Sequence, residues 1–168
     1  NVDKSIDLYE KALTLDPEHA EALLSLGRSY AAKKNYDKAK PNFERALTMI
    51  DDDARPFFEL GSIYFEMKDY EKAIPRLKKA LEIGRPESTE RDAQACSFLG
   101  FALIELDQTA EAQSYLEKAV NLDKGLIQSH KLLADIYYGN EEYDLALPHY
   151  ETAATTIEDD AQLFENLG

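Results

Sequence analysis

The sequence predicts an all-α chain of stacked antiparallel helix hairpins. Three observations carry that prediction. First, a Leu followed by a small residue recurs at Leu26-Gly27, Leu60-Gly61, Leu99-Gly100, Leu133-Ala134 and Leu167-Gly168, at intervals of 34, 39, 34 and 34 residues. Second, each interval holds two apolar stripes of helical period, separated by a short polar break. Third, Ala, Leu, Glu, Lys and Arg make up 80 of the 168 residues, a helix-rich composition.

The elements follow in chain order. Residues 1–19 read as a second helix without its first partner: Ser5, Tyr9 and Ala12 fill small and aromatic slots, and Pro17 closes the segment. In residues 20–53 the first stripe is Leu23, Leu26, Gly27 and Tyr30. Lys34 and Asn35 break it, and Tyr36, Ala39, Phe43, Ala46, Leu47 and Ile50 form the second. Residues 54–87 repeat this with Phe57, Leu60, Gly61 and Tyr64, then Tyr70, Ala73, Leu77, Ala80 and Leu81. Residues 93–126 diverge: Leu103 replaces the tyrosine after the step, and Thr109 replaces the one that opens the second helix. Residues 127–160 return to the pattern with Leu133, Ala134, Tyr137, Tyr143, Ala146, Tyr150 and Ala153. Residues 161–168 begin a further unit, so the ends read as those of a piece of a longer array.

The longer interval places five extra residues, 88–92, at one junction. Pro86 ends the preceding helix, and Ser88 or Thr89 can cap an early start that gives the next helix an extra turn. The insertion reads either as a tolerated junction or as a protruding contact feature.

Physical chemistry explains the remaining regularities. A short connection makes two helices antiparallel neighbours. The small residue of each step lets them approach where a larger side chain would collide. A single hairpin cannot bury its apolar faces, so successive hairpins must stack. Pro41, Pro75 and Pro148 share one slot inside the second helix and remove one backbone donor each, which bends its first turns. Asp51, Asp52 and Asp53, like Glu158, Asp159 and Asp160, precede a first helix, where acidic side chains cap orphan N–H groups and complement the dipole. The first of these runs lacks the alternating ligands and distal Glu of a calcium loop.

These residues resemble the tetratricopeptide repeat. The match covers almost the whole chain, and agreement between several units makes it specific. The resemblance implies a right-handed superhelical α-solenoid whose first helices line a concave wall. It also implies protein–protein interaction, and no catalysis, cofactor or metal is expected because no motif for one occurs.

Composition and motifs agree with that class. The net charge of −14 argues against nucleic-acid binding, which needs clustered Lys and Arg. No run reaches the length of a membrane span. One Cys forms no internal disulfide, and Cys96 occupies the slot of Leu23 and Phe57, as a small buried apolar residue does. His19, His130 and His149 are scattered, and no metal, nucleotide or redox motif occurs. No targeting signal is legible, which leaves cytoplasmic as a default only.

Function then falls to the groove. On each first helix, positions 4, 7, 8 and 11 of the unit face its own partner, and positions 2, 5, 9 and 12 lie about 100° round. The second set supplies an apolar middle of Leu24, Phe58, Phe65, Phe101, Ile104 and Tyr138. Arg28, Arg55 and Lys131 serve as orienting charges. This set predicts a site for a peptide or helix segment. The competing reading is that the twist of the stack buries some of these residues between neighbouring first helices. The two-carboxylate clamp of chaperone-tail-binding members needs Lys and Asn, then Asn, then Lys and Arg. Here those positions hold Leu24 and Arg28, then Glu59, then Gln94 and Phe98, which argues against acidic C-terminal tails as ligands. Self-assembly through open array ends is one alternative, and a regulatory module beside an enzyme is another.

Overall fold

The computed structural model describes residues 2–84 and 89–154. Among these residues it contains nine α-helices and no strand. The chain divides into two compact units, Asn1–Arg85 and Pro86–Gly168. The first holds α1 (Val2–Leu15), α2 (Ala20–Ala32), α3 (Tyr36–Leu47), α4 (Ala54–Glu66) and α5 (Tyr70–Ile83). The second holds α6 (Thr89–Glu105), α7 (Thr109–Leu122), α8 (Ile127–Gly139) and α9 (Tyr143–Ala154).

In the first unit α2 packs on α3 and α4 on α5, while α1 packs on α2 and α3 on α4. In the second, α6 packs on α7, α8 on α9 and α7 on α8. The architecture is thus an all-α solenoid of helical hairpins. α6 has 17 residues where the other first helices have 13, a full extra turn. Ser88, Pro86, the segment from residue 155 onward and the acidic run 158–160 lie outside the described residues.

The step residues set the hairpin spacing. A Cβ on Gly27 would sit 2.7 Å from Phe43 Cε1, and one on Gly61 would sit 2.7 Å from Leu77 Cγ. On Gly100 it would sit 2.5 Å from Leu116 Cγ. The facing alanines Ala39, Ala46, Ala73, Ala80, Ala112, Ala119, Ala146 and Ala153 are all buried. Small residues on both helices therefore let single large side chains, such as Phe43 and Leu116, fill the space between them.

Each hairpin turn uses one left-handed residue: Lys34, Lys68, Asp107 and Glu141, with φ of 56°, 59°, 59° and 64°. The next residue donates its N–H back to the first helix, as Asn35 does to Tyr30 O at 2.9 Å and Glu142 to Tyr137 O at 2.8 Å. This is the helix-terminating geometry that glycine usually serves, occupied here by charged residues. At the junctions, Asp53 caps α4 by accepting from the Arg55 N–H, and His19 caps α2 by accepting from the Ala22 N–H. Pro41, Pro75 and Pro148 lie inside α3, α5 and α9 on exposed positions, so their rings point away from the hairpin core.

Candidate functional site

The first-helix faces are best described unit by unit. In the first unit, α2 and α4 run side by side along a polar seam. Arg28 Nε donates to Glu59 Oε1 at 2.5 Å. Arg55 donates to Asp53 Oδ2 at 2.6 Å and to Glu21 Oε1 at 2.5 Å, so one guanidinium ties its own helix cap to the neighbouring helix. The Arg55 charge is stabilised first by its bond to Asp53 and then by Glu21. In return, the bond from Arg55 holds the Glu21 carboxyl below its ordinary value.

Arg28 and Arg55, expected as orienting charges for a ligand, are therefore engaged in pairs between successive first helices. Leu24, expected in the groove, is 0% exposed and belongs to the core of the unit with Leu23, Leu26 and Phe43. It shares that core with Leu60 and Ile63 of α4, so the packing of α4 on the first hairpin covers it. Phe58 and Phe65 stay half-buried, and the Phe65 ring lies 5.9 Å from that of Tyr70.

The second unit builds the same seam from different chemistry. The slots of Glu21 and Arg55 hold Gln94 and Gln128, and those of Arg28 and Glu59 hold Phe101 and Leu132. Ser129 Oγ donates to Ser97 Oγ at 2.7 Å across α6 and α8, with Ser129 wholly buried. Phe101, Ile104 and Lys131 are half-buried, whereas Tyr138 is 51% exposed and meets Tyr143 edge-on at 5.3 Å. Between α6, the start of α7 and α8 lies an open cleft of about 360 Å3, with Ile104, Leu132 and Ile136 as its apolar lining and Thr109, Asp135 and Asn140 as its polar part. Asp135 accepts from Tyr150 Oη at 2.6 Å.

Charge also differs between the units. Residues 2–84 hold sixteen carboxylates and fourteen Lys or Arg, and residues 89–154 hold twelve and four. The left-handed turn residues follow suit, basic in the first unit and acidic in the second.

Sequence reasoning missed two features. One is the ion-paired seam. Its signal was present: Glu21 and Arg55 are opposite charges 34 residues apart, in the same slot of successive units. The other is a histidine pair, His130 on α8 and His149 on α9, whose Nδ1 atoms lie 2.8 Å apart. The Tyr137 ring stacks on His149 at 5.8 Å. One Nδ1–H can donate to the other Nδ1 only while at least one ring is neutral.

Burial lowers the His130 pKa. The Lys124 backbone pulls the other way, but His130 Nε2 has no hydrogen-bond partner, so burial prevails. Burial and then His130 lower the His149 pKa, against a smaller opposite pull from Glu117. Both folded-state values are thus below the unfolded ones. The unfolded chain binds more protons in acid, so the pair's contribution is complete above about pH 6.5 and is lost as pH falls. We expect the urea midpoint to drop between about pH 7 and pH 5, ahead of carboxylate titration. His149→Gln should flatten that dependence, and identical pH profiles for the two proteins would count against the pair as its source.

Cys96 is buried, and burial pushes its thiol up to about 11, which leaves it a packing residue rather than a nucleophile. No group of three or more metal-ligating side chains occurs among the described residues. No described helix is long and apolar enough to cross a membrane.

Comparison with known proteins places this geometry. Two family models, each described as tetratricopeptide repeat, match residues 52–125 and 1–57. A search of curated proteins gives no match. Among solved structures, a crystal structure of MamA is similar at 24% identity with a TM-score of 0.79, over 96% of this chain and 91% of that one. PilF of Pseudomonas aeruginosa is similar at 24% identity and a TM-score of 0.79, over 96% and 81%. YrrB, described as a TPR protein with an unusual peptide-binding site, is similar at 25% identity and a TM-score of 0.76, over 98% and 82%. With repeat models matching residues 1–125 between them and the same hairpin fold in its neighbours, the chain belongs to the tetratricopeptide repeat family.

Proposed function

We propose that the chain is a non-catalytic protein–protein interaction scaffold that holds a peptide or helical segment of its partner against the first-helix faces. The observation that carries this reading is a surplus of aromatic and aliphatic surface. The buried hairpin cores do not include Phe58 and Phe65 in the first unit or Phe101 and Tyr138 in the second, and Ile104 packs against the second core while staying half-exposed. Half-exposed aromatics of this kind are the usual anchors of binding hot spots. Arg28 and Arg55 contribute by fixing the spacing of α2 and α4 rather than by waiting for a ligand, and Lys131 adds a cation on α8. The peptide-binding site named for YrrB gives the reading a precedent among chains of this fold.

A random peptide library selected against the protein tests it. Peptides recovered on the native chain should lose roughly 2 kcal/mol of binding to Phe58→Ala or Phe101→Ala, the weight of one aromatic anchor. Equal binding to all three proteins would overturn the reading. Self-assembly is favoured by a separate observation, the exposure of Tyr143, Leu145 and Leu147 on α9. A concentration-dependent mass in sedimentation, abolished by Leu147→Lys, would support it.

A further inference from the structure

We infer that the α6–α8 cleft docks a basic peptide segment, taking one apolar side chain of that segment into the cleft and its flanking Lys or Arg onto the surrounding carboxylates. The inference rests on the scaffold reading above and names the partner chemistry of one of its faces.

The cleft owes its apolar lining to the residues in its slots. In the first unit, the Arg28–Glu59 pair crosses the seam between first helices. In the second, the corresponding slots hold Phe101 and Leu132, so apolar side chains replace the ion pair beside the cleft, while Ser129 and Ser97 tie α8 to α6. At the turn end of the seam, Glu66 and Met67 of the first unit correspond to Gly139 and Asn140 of the second. A Cβ added at Gly139 meets nothing within 4 Å, so the space beside it is open. What remains is an apolar recess, lined by Ile104, Leu132 and Ile136, with room for side chains rather than for a folded domain.

The surroundings of the cleft are acidic. Asp135 lies in the cleft, and the turns at this end put exposed Glu105, Asp107, Glu141 and Glu142 next to its lining residues in the chain. No Lys or Arg occurs in residues 92–117 or 132–154, so the cleft end of the unit has a single sign of charge. The nearest cation on α8 is Lys131, one turn before Asp135. Such a field attracts cations, repels acidic segments and orients whatever carries both an apolar anchor and positive charge. A second copy of this chain, with its own net charge of −14, is the poorer match.

The test uses three fluorescein-labelled peptides: one with a central Leu flanked by Lys, one with that Leu replaced by Ser, and one with the Lys replaced by Glu. Anisotropy should show salt-sensitive binding of the first peptide alone. Gly139→Leu, which adds a side chain to the lining at a position where a Cβ meets nothing within 4 Å, should weaken that binding roughly tenfold or more, and Asp135→Asn should weaken it less. Loss with Gly139→Leu while thermal stability is unchanged supports the inference.

Equal affinity for the Leu and Ser peptides would reduce the effect to bulk charge and overturn it. Unchanged affinity with Gly139→Leu would overturn it too. If Phe58→Ala or Phe101→Ala then still abolishes binding, the scaffold reading survives and only the assignment of the cleft fails. A monomer–dimer equilibrium that Gly139→Leu removes would make the occupant a second copy, which also overturns it.

Discussion

Replacing Phe43 by Ala should remove about 3–5 kcal/mol of unfolding free energy, read as a lower urea midpoint at unchanged slope. Phe43 is 0% exposed, and its ring fills the space that Gly27 leaves on the facing helix. The cost of a large-to-small change grows with the cavity that remains. Here the surroundings close it poorly, because the residue facing the ring is Gly27 and the buried residues one turn either side of it on α3 are Ala39 and Ala46, which have no side-chain length to extend. A loss below about 1 kcal/mol would mean that α2 and α3 slide together and that the step does not fix their distance. Adding Gly27→Leu to Phe43→Ala should restore part of the loss, since the pair then fills the same space from the other side.

The reverse error should be nearly as damaging. Gly100→Val should destabilise the protein by at least about 1–3 kcal/mol, the usual cost of overpacking a well-filled core. The new Cβ would lie 2.5 Å from Leu116 Cγ and 2.6 Å from its Cδ2, distances at which something must move. Leu116 is fully buried and cannot swing into solvent, so the shift falls on the α6–α7 spacing. Combining Gly100→Val with Leu116→Ala should recover most of the loss, and a double-mutant cycle in thermal or urea unfolding measures the coupling. Additive effects of the two substitutions would place the glycine's role elsewhere.

The acid sensitivity expected of the His130–His149 pair has a different origin. Core substitutions remove packing at every pH, whereas the histidine pair acts through a proton count that changes only below about pH 6.5.

Much of this molecule was legible in its sequence. The recurrence of Leu26-Gly27, Leu60-Gly61 and Leu99-Gly100 gives the hairpin and its close approach, because a 34-residue period and a 3.6-residue stripe are properties of the local chain. The slot shared by Leu23, Phe57 and Cys96 identifies Cys96 as a packing residue on the same grounds. The longer α6 follows from the extra residues at the junction, of which 89–92 join the helix without breaking its pattern.

The tertiary structure alone decided what happens between successive first helices. Leu24 and Phe58 occupy the same slot, yet one is sealed in the core and the other half-exposed. Arg28 and Arg55, expected as groove cations, pair with Glu59, Glu21 and Asp53 along the seam. The α6–α8 cleft and the His130–His149 contact were likewise invisible. Periodicity reports which faces of a helix are apolar. Which apolar face is covered depends on the distance and register of a helix some thirty residues away, and that is set by packing between hairpins, which no local pattern encodes.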